Sequence, residues 1–351
     1  MSLERWTTAI PSLDESAMAR ARERQDRLTK PQGSLGRLED LAIHLAGITG
    51  ASNPRLDHKL VIIMAADHGV VVEGVSAYPQ EVTSQMVANF INGGAAINVL
   101  SRLVGARVVV VDMGVAGDLQ PAPGLLIKKI GSGSGNMARG PAMSREQARK
   151  SVIVGAQVVE DELQNGLDIL ATGEMGIGNT TPSAAIAALI TEHPVHEIVG
   201  RGTGLDESGL ARKVAVVETA LRVNNPDPND GLDVLSKVGG FEIGGLAGAM
   251  LAAAAHRKPV LVDGFIASAA AMLAVKLAPR VRDYLIASHR SKETGHGIML
   301  DWLGLVPLLD LDLRLGEGSG AALGMWLVEA SSRLMNEMAT FGEAGVSTRT
   351  G

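Results

Sequence analysis

Seven times in this chain a short, mostly apolar run ends in a small, polar or acidic residue, usually beside glycine. No other feature restricts its fold as strongly. The runs are KLVIIMAADHG (59–69), RVVVVDMG (107–114), DILATGEMGIG (168–178), EIVGRGTG (197–204), PVLVDG (259–264), YLIASHRS (284–291) and LLDLDLRLGEGSG (308–320). A strand buried on both faces reads as a continuous apolar run, and helical patterns between such runs make βαβ units with parallel strands. We therefore expect an α/β fold whose core, residues 58–320, is a doubly wound, mainly parallel sheet. Residues 12–50 carry Leu13, Ala17, Ala21, Leu28, Leu38, Leu41 and Leu45 at helical spacing, interrupted at Lys30-Pro31-Gln32-Gly33. N-terminal helices within 1–57 and a C-terminal helix within 321–351 are expected to form a smaller cap domain. Ligand-binding groups of parallel sheets gather beyond the C-terminal strand ends. There this chain places Asp67, His68, Asp112, Glu174, Arg201, Asp263, His289 and Glu317.

Composition narrows what such a core would bind. The 351 residues carry a net charge of −6 with Lys and Arg scattered, which offers no basic face for nucleic acid. The absence of cysteine excludes disulfides and thiolate chemistry and makes the cytoplasm the default compartment. The segment MSLERWTTAIPSLDESAMARARE lacks the basic start and apolar core of a secretory signal. The longest nearly uncharged apolar stretch, 243–255, is too short and too rich in Gly and Ala to cross a bilayer. No membrane partner is expected. Aromatic residues are only 3%, which argues against a platform of stacked rings.

Three glycine-rich turns hold the chemistry. The first, ATGEMGIGNTTPS (171–183), stands at a strand-to-helix junction. Gly176 and Gly178 free the backbone to point N–H groups at an anion, and Asn179 and Thr180 add side-chain donors. Glu174 belongs in such a cradle only if it faces a cationic part of the ligand. The second turn, Arg201 to Asp206, opens a helix pattern with Lys213 two turns in. It reads equally as a single-phosphate site or as a tight βα turn with a solvated lysine. In the third, Gly316-Glu317-Gly318-Ser319-Gly320, Glu317 is either a general base raised in pKa by apolar surroundings or a first-turn acid complementing a helix dipole. Glutamate among glycines at both 174 and 317 favours function, and two carboxylates without a cationic cluster suit a positively charged reacting centre. Tyr78, Pro79, Gln80 and Gln85 would wall an aromatic-substrate pocket or merely lead into a helix.

Other motifs fall away. Ser288-His289 has no G-x-S-x-G elbow, and no P-loop is present. Asp67-His68 lacks a second histidine at i+3 or i+4, so His68 reads as a satisfied strand-end residue rather than a metal ligand. Gly131 to Gly135 lacks the strand context of a dinucleotide fingerprint. The acidic pair and Thr-Gly of enzymes using phosphoribosyl pyrophosphate are missing. No metal is expected.

AADHGVVVEGVSAYPQEVT, GGAAINVL, VDMGV, GPAMSREQA, GEMGIGNTT, GRGTGLD, EIGGLAGAML, VLVDGFI, SHRS and LDLRLGEGSGAAL resemble, in that order and from about Pro31 to Ser347, the nicotinate-nucleotide:dimethylbenzimidazole phosphoribosyltransferases of cobalamin lower-ligand assembly. One departure is Gly133-Ser134-Gly135, where the family more often shows Gly-Thr and a larger residue. The resemblance implies a Rossmann-like sheet, a homodimer, no cofactor, and substrates nicotinate mononucleotide and 5,6-dimethylbenzimidazole. It implies Glu317 as the base and Glu174 near the ribose or reacting centre. Gly176, Gly178, Asn179 and Thr180 would lie near ribose and phosphate. Gly202, Thr203, Gly204 and Lys213 would take the 5′-phosphate, with Gly264 and Ser291 at the rim. Leu315 would pack on the acceptor ring, with Tyr78, Pro79, Gln80 and Gln85 as further walls.

Two other readings are open to a chain of this pattern. One is an NAD-dependent oxidoreductase on the same doubly wound fold. The other is a non-catalytic protein that sequesters a phosphoriboside.

Overall fold

The structure, a computed structural model, describes residues 2–202 and 204–347. Six strands form one parallel sheet: β1 Lys59–Ala66, β2 Ala106–Gly114, β3 Leu125–Ile127, β4 Ile169–Met175, β5 Val260–Val262 and β6 Leu285–Ala287. Their order is β3-β2-β1-β4-β5-β6. The chain builds outward from β1 to β3, then returns to add β4 on the other flank of β1. The C-terminal ends of β1 and β4 therefore border the point where the strand order reverses, which is where open α/β sheets bind ligands. Burial on both faces explains the uninterrupted apolar runs. Leu60, Ile62, Met64 and Ala66 of β1 enter one core, while Val61, Ile63 and Ala65 enter the other.

Helices Arg145–Leu163, Phe241–Ala255 and Phe265–Leu277 cover the first face; Ala96–Val104 and Ser319–Glu337 cover the second. Apart from Glu242 the Phe241–Ala255 helix is apolar around its circumference, and it is accordingly buried on all sides. Its approach to Arg145–Leu163 is backbone to backbone: a Cβ on Gly155 would strike Gly245 O, and one on Gly248 would strike Val152 O. The two chain ends meet in a smaller cluster. Ala17, Ala21, Ala42 and Ala46, from helices Glu15–Arg27 and Arg37–Thr49, pack with Met335 near the end of Ser319–Glu337. Arg24 Nε donates to Met335 O at 2.6 Å, and Thr29 N to Ala339 O at 3.0 Å.

Three strand expectations need correction. Among its described residues the run at 197–204 forms no strand: Pro194 caps a short helix, Val195–Ile198, and Gly202 and Gly204 then have φ of +51° and +106°. The run at 308–320 pairs only through β8, Leu309–Asp310, which joins β7, His289–Arg290, in a two-stranded sheet apart from the main one. β3 has no counterpart among the seven runs. It is a three-residue edge strand whose Ile127 is exposed, too short and one-sided to give an apolar run.

Candidate active site

The C-terminal edge of β4 and β5 opens into a cavity of about 440 Å³. Its walls bring together the first glycine turn (Glu174, Gly176, Asn179, Thr180), Gly202, the start of the helix after β5 (Asp263 to Ile266), His289, Ser291, Glu293 and the strap Arg314 to Glu317. Tyr78, Val82 and Met86 close one side.

Glycine lets the strap sit where it does. Gly173 on β4 lies where a Cβ would strike Glu317 O, so the missing side chain admits the turn against the strand. Gly316, Glu317 and Gly318 then run through left-handed φ values of +84°, +63° and +91°. Two of these are free to a glycine; the one at glutamate costs on the order of 1 kcal/mol, a strain that packing must maintain and that concentrates at functional sites. The turn points Glu317 inward, where Oε2 accepts the Ile97 N–H at 3.4 Å from the start of helix Ala96–Val104. Burial pushes the Glu317 carboxyl above the usual range, the Ile97 N–H opposes this, and Asp263 adds to it.

Glu174 is the second inward carboxyl. Its Oε2 accepts the Asn179 side-chain N–H. Burial pushes it up to about 8; the Asn179 bond pulls against this, and Asp263, Glu242 and Glu317 reinforce it. Beyond it, the N-terminus of helix Thr180–Thr191 faces the cavity through Asn179 and Thr180. Lys213 stands behind, almost fully buried, with Nζ donating to Thr180 Oγ1 at 2.7 Å and Gly200 O at 3.3 Å. Burial holds Lys213 down to about 8, opposed by Glu293. A helix N-terminus, a hydroxyl and a desolvated lysine make one anion-binding end. The other end is acidic. Among the described lining residues Glu174, Asp263 and Glu317 make it so, whereas the fourth carboxylate, Glu293, neighbours Lys213, and Arg314 donates to Gly202 O at the anion-binding end.

His289 does not form a hydrolase triad with its neighbours. Ser288 Oγ lies 3.1 Å and Asp263 Oδ1 3.8 Å from the same nitrogen, Nδ1, and Ser288 is fully buried away from the cavity. A relay would require the two partners on opposite ring nitrogens. His68 commits Nε2 to Glu242 at 2.8 Å, both residues buried. Among the described residues no three His, Asp or Glu side chains gather to hold a metal ion.

Of the residues singled out from sequence, Glu174, Gly176, Asn179, Thr180, Gly202, Gly264, Ser291, Tyr78, Leu315 and Glu317 line the cavity. Lys213 reaches it through Thr180, and Gly178 shapes its turn at φ +89°. Pro79, Gln80, Gln85 and Gly204 do not line it, and Thr203 lies outside the described residues. Asp263 and His289 are recognisable in the sequence as strand-end groups, but nothing there gives them a task. Val82, Met86, Phe265, Ile266, Glu293 and Arg314 carry no local signal.

The doubly wound sheet and a cavity that joins an anion-binding helix N-terminus to buried carboxyls are those of a phosphoribosyltransferase by the comparisons that follow. The family model described as phosphoribosyltransferase matches residues 10–346. Curated relatives named nicotinate-nucleotide–dimethylbenzimidazole phosphoribosyltransferase include one from Roseiflexus sp. (strain RS-1), 61% identical over 99% of both chains. Another, from Desulforudis audaxviator, is 61% identical over 98% of both. A crystal structure of CobT from Thermus thermophilus superposes with a TM-score of 0.92 at 48% identity, covering 95% of this chain and 100% of that one. This chain belongs to the nicotinate-nucleotide–dimethylbenzimidazole phosphoribosyltransferase family. The oxidoreductase reading finds no support among these relatives.

Proposed function

We propose that the protein transfers the 5-phosphoribosyl group of nicotinate mononucleotide to 5,6-dimethylbenzimidazole, with inversion at C1′, giving α-ribazole 5′-phosphate and nicotinate. The observation that carries this reading is the cavity's polarity: an anion-binding end of helix N-terminus and Lys213, and an acidic end holding Glu174 and Glu317. Nicotinate mononucleotide has the matching polarity, a phosphate at one end and a pyridinium–ribose bond at the other.

The C1′–N bond breaks with its electron pair passing to the pyridinium nitrogen, which leaves as a neutral ring. No general acid is needed. As C1′ gains positive charge, the Glu174 carboxylate stabilises it. The benzimidazole lone pair forms the new C1′–N bond from the opposite face, which makes the product α. That nitrogen becomes cationic, and Glu317 takes the proton from the ring's other nitrogen. Gly176, Gly178, Asn179, Thr180, Gly202 and Lys213 hold the ribose and phosphate, with Gly264 and Ser291 at the rim. Tyr78, with Val82 and Met86 beside it, and Leu315 face the acceptor; Pro79, Gln80 and Gln85 stand outside that wall.

A homodimer in the cytoplasm belongs to the same proposal. Val99 and Leu103, four residues apart on Ala96–Val104, and Trp326 on the adjoining Ser319–Glu337 helix are all exposed, an apolar face fit for a second copy. Among the described residues no helix is long and apolar enough to cross a membrane. The decisive experiment is chromatographic: with both substrates the protein releases nicotinate and forms the α-configured product, while Glu317→Ala binds nucleotide yet loses about 10²- to 10⁴-fold in turnover. Full turnover in that variant would remove Glu317 from the mechanism.

A further inference from the structure

Asp263 stands at the end of β5, 2% exposed, and its two oxygens are committed to the helix that follows Glu317. Oδ2 accepts the Gly318 N–H at 3.3 Å and Oδ1 the Ala321 N–H at 2.9 Å. The Ser319–Glu337 helix has Gly318 at its N-cap and no capping side chain of its own. A carboxylate from another strand therefore supplies the missing cap. One of the two capped amides belongs to the peptide that joins Glu317 to Gly318. Fixing that peptide fixes the strained left-handed turn, and with it the direction of the Glu317 side chain. Asp263 is itself held: its N–H donates to Thr172 Oγ1 at 3.3 Å, and His289 Nδ1 lies 3.8 Å from Oδ1.

We propose that Asp263 is the positioning residue of the base, clamping the Glu317–Gly318 peptide so that the Glu317 carboxyl stays at the reacting end of the cavity. The proposal rests on the transferase reading above. It also carries an electrostatic consequence. Glu317 is faced by the Ile97 N–H from helix Ala96–Val104, by Glu174 from β4 and by Asp263 from β5, with Arg314 on its own strap. After burial, Asp263 is the neighbour that pushes the Glu317 carboxyl up, so it keeps the base strong as well as aimed.

The test compares wild type with Asp263→Asn, which keeps volume and one acceptor oxygen but presents an amide where the Gly318 N–H needs an acceptor. We expect kcat to fall about 100-fold, as for a displaced catalytic group, while nicotinate mononucleotide affinity by calorimetry stays within about threefold. The acid limb of the kcat profile moves to lower pH, because removing a negative neighbour lowers the Glu317 pKa. In a Glu317→Ala background the same change costs little further turnover. Wild-type kcat, an unmoved acid limb, or losses that multiply in the double variant would each overturn the proposal. Asp263→Ser, which retains a capping oxygen, is run in parallel, so that the same readouts decide the matter if the Asn variant does not fold. A wild-type protein that releases no nicotinate would defeat the transferase reading itself; a wild type that turns over beside an unaffected Asp263→Asn defeats only this one.

Discussion

At the scale of single residues, the cavity is a set of groups held away from their preferred charge. Glu174 is pushed up to about 8 by burial, so with the site empty it is protonated at pH 7. A pyridinium riboside favours the anion, and binding must therefore release up to one proton below about pH 8. Lys213 is held down to about 8, so above that pH it stands neutral and a phosphate draws a proton onto it. The sign of proton exchange on nucleotide binding is thus expected to reverse near pH 8. Calorimetry in buffers of different ionisation enthalpy, at pH 7 and pH 9, measures it directly. Glu174→Gln should abolish the release and Lys213→Met the uptake; one sign at both pH values would sink the account.

At the scale of elements, the site depends on how closely a turn can press on a strand. A methyl group at Gly173 would strike the Glu317 carbonyl, so Gly173→Ala should displace the strap and cut kcat about 100-fold with the far-ultraviolet circular dichroism unchanged. A near-normal kcat would show that the strap tolerates movement. Sequence reading succeeds where the determinants are local. β1, β2, β4 and β5 are runs of β-branched and apolar residues with glycine beyond, and Glu174 and Glu317 stand out because small neighbours surround them. It fails where tertiary contact decides. EIV at 197–199 has the composition of a strand, but Pro194 and Gly200 bracket it and leave room only for a helical turn. β3 follows the Pro- and Gly-rich segment 117–124 and exists only by pairing with β2. The clamp from Asp263 to Gly318 and Ala321 joins residues 55 and 58 positions apart, a distance no local pattern spans.

At the scale of the whole molecule, the exposed Val99, Leu103 and Trp326 predict that Trp326→Glu yields a monomer by sedimentation where the unaltered chain sediments as a dimer; equal mass for both would remove this face from the assembly. The helix that bears Val99 and Leu103 also donates its Ile97 N–H to Glu317, so loss of the partner should be felt in turnover as well as in mass. The strands, finally, differ in length across the site. On the assignment proposed above, the nucleotide rests on β4 and the Thr180–Thr191 helix that follows it, whereas the acceptor meets the Tyr78 segment and the Leu315 strap, both irregular and both exposed. The two substrates are thereby placed on parts of the chain that can change at different rates. Substitutions in two surface loops could retune the choice of azole over evolutionary time while the machinery that breaks the glycosidic bond stays as it is.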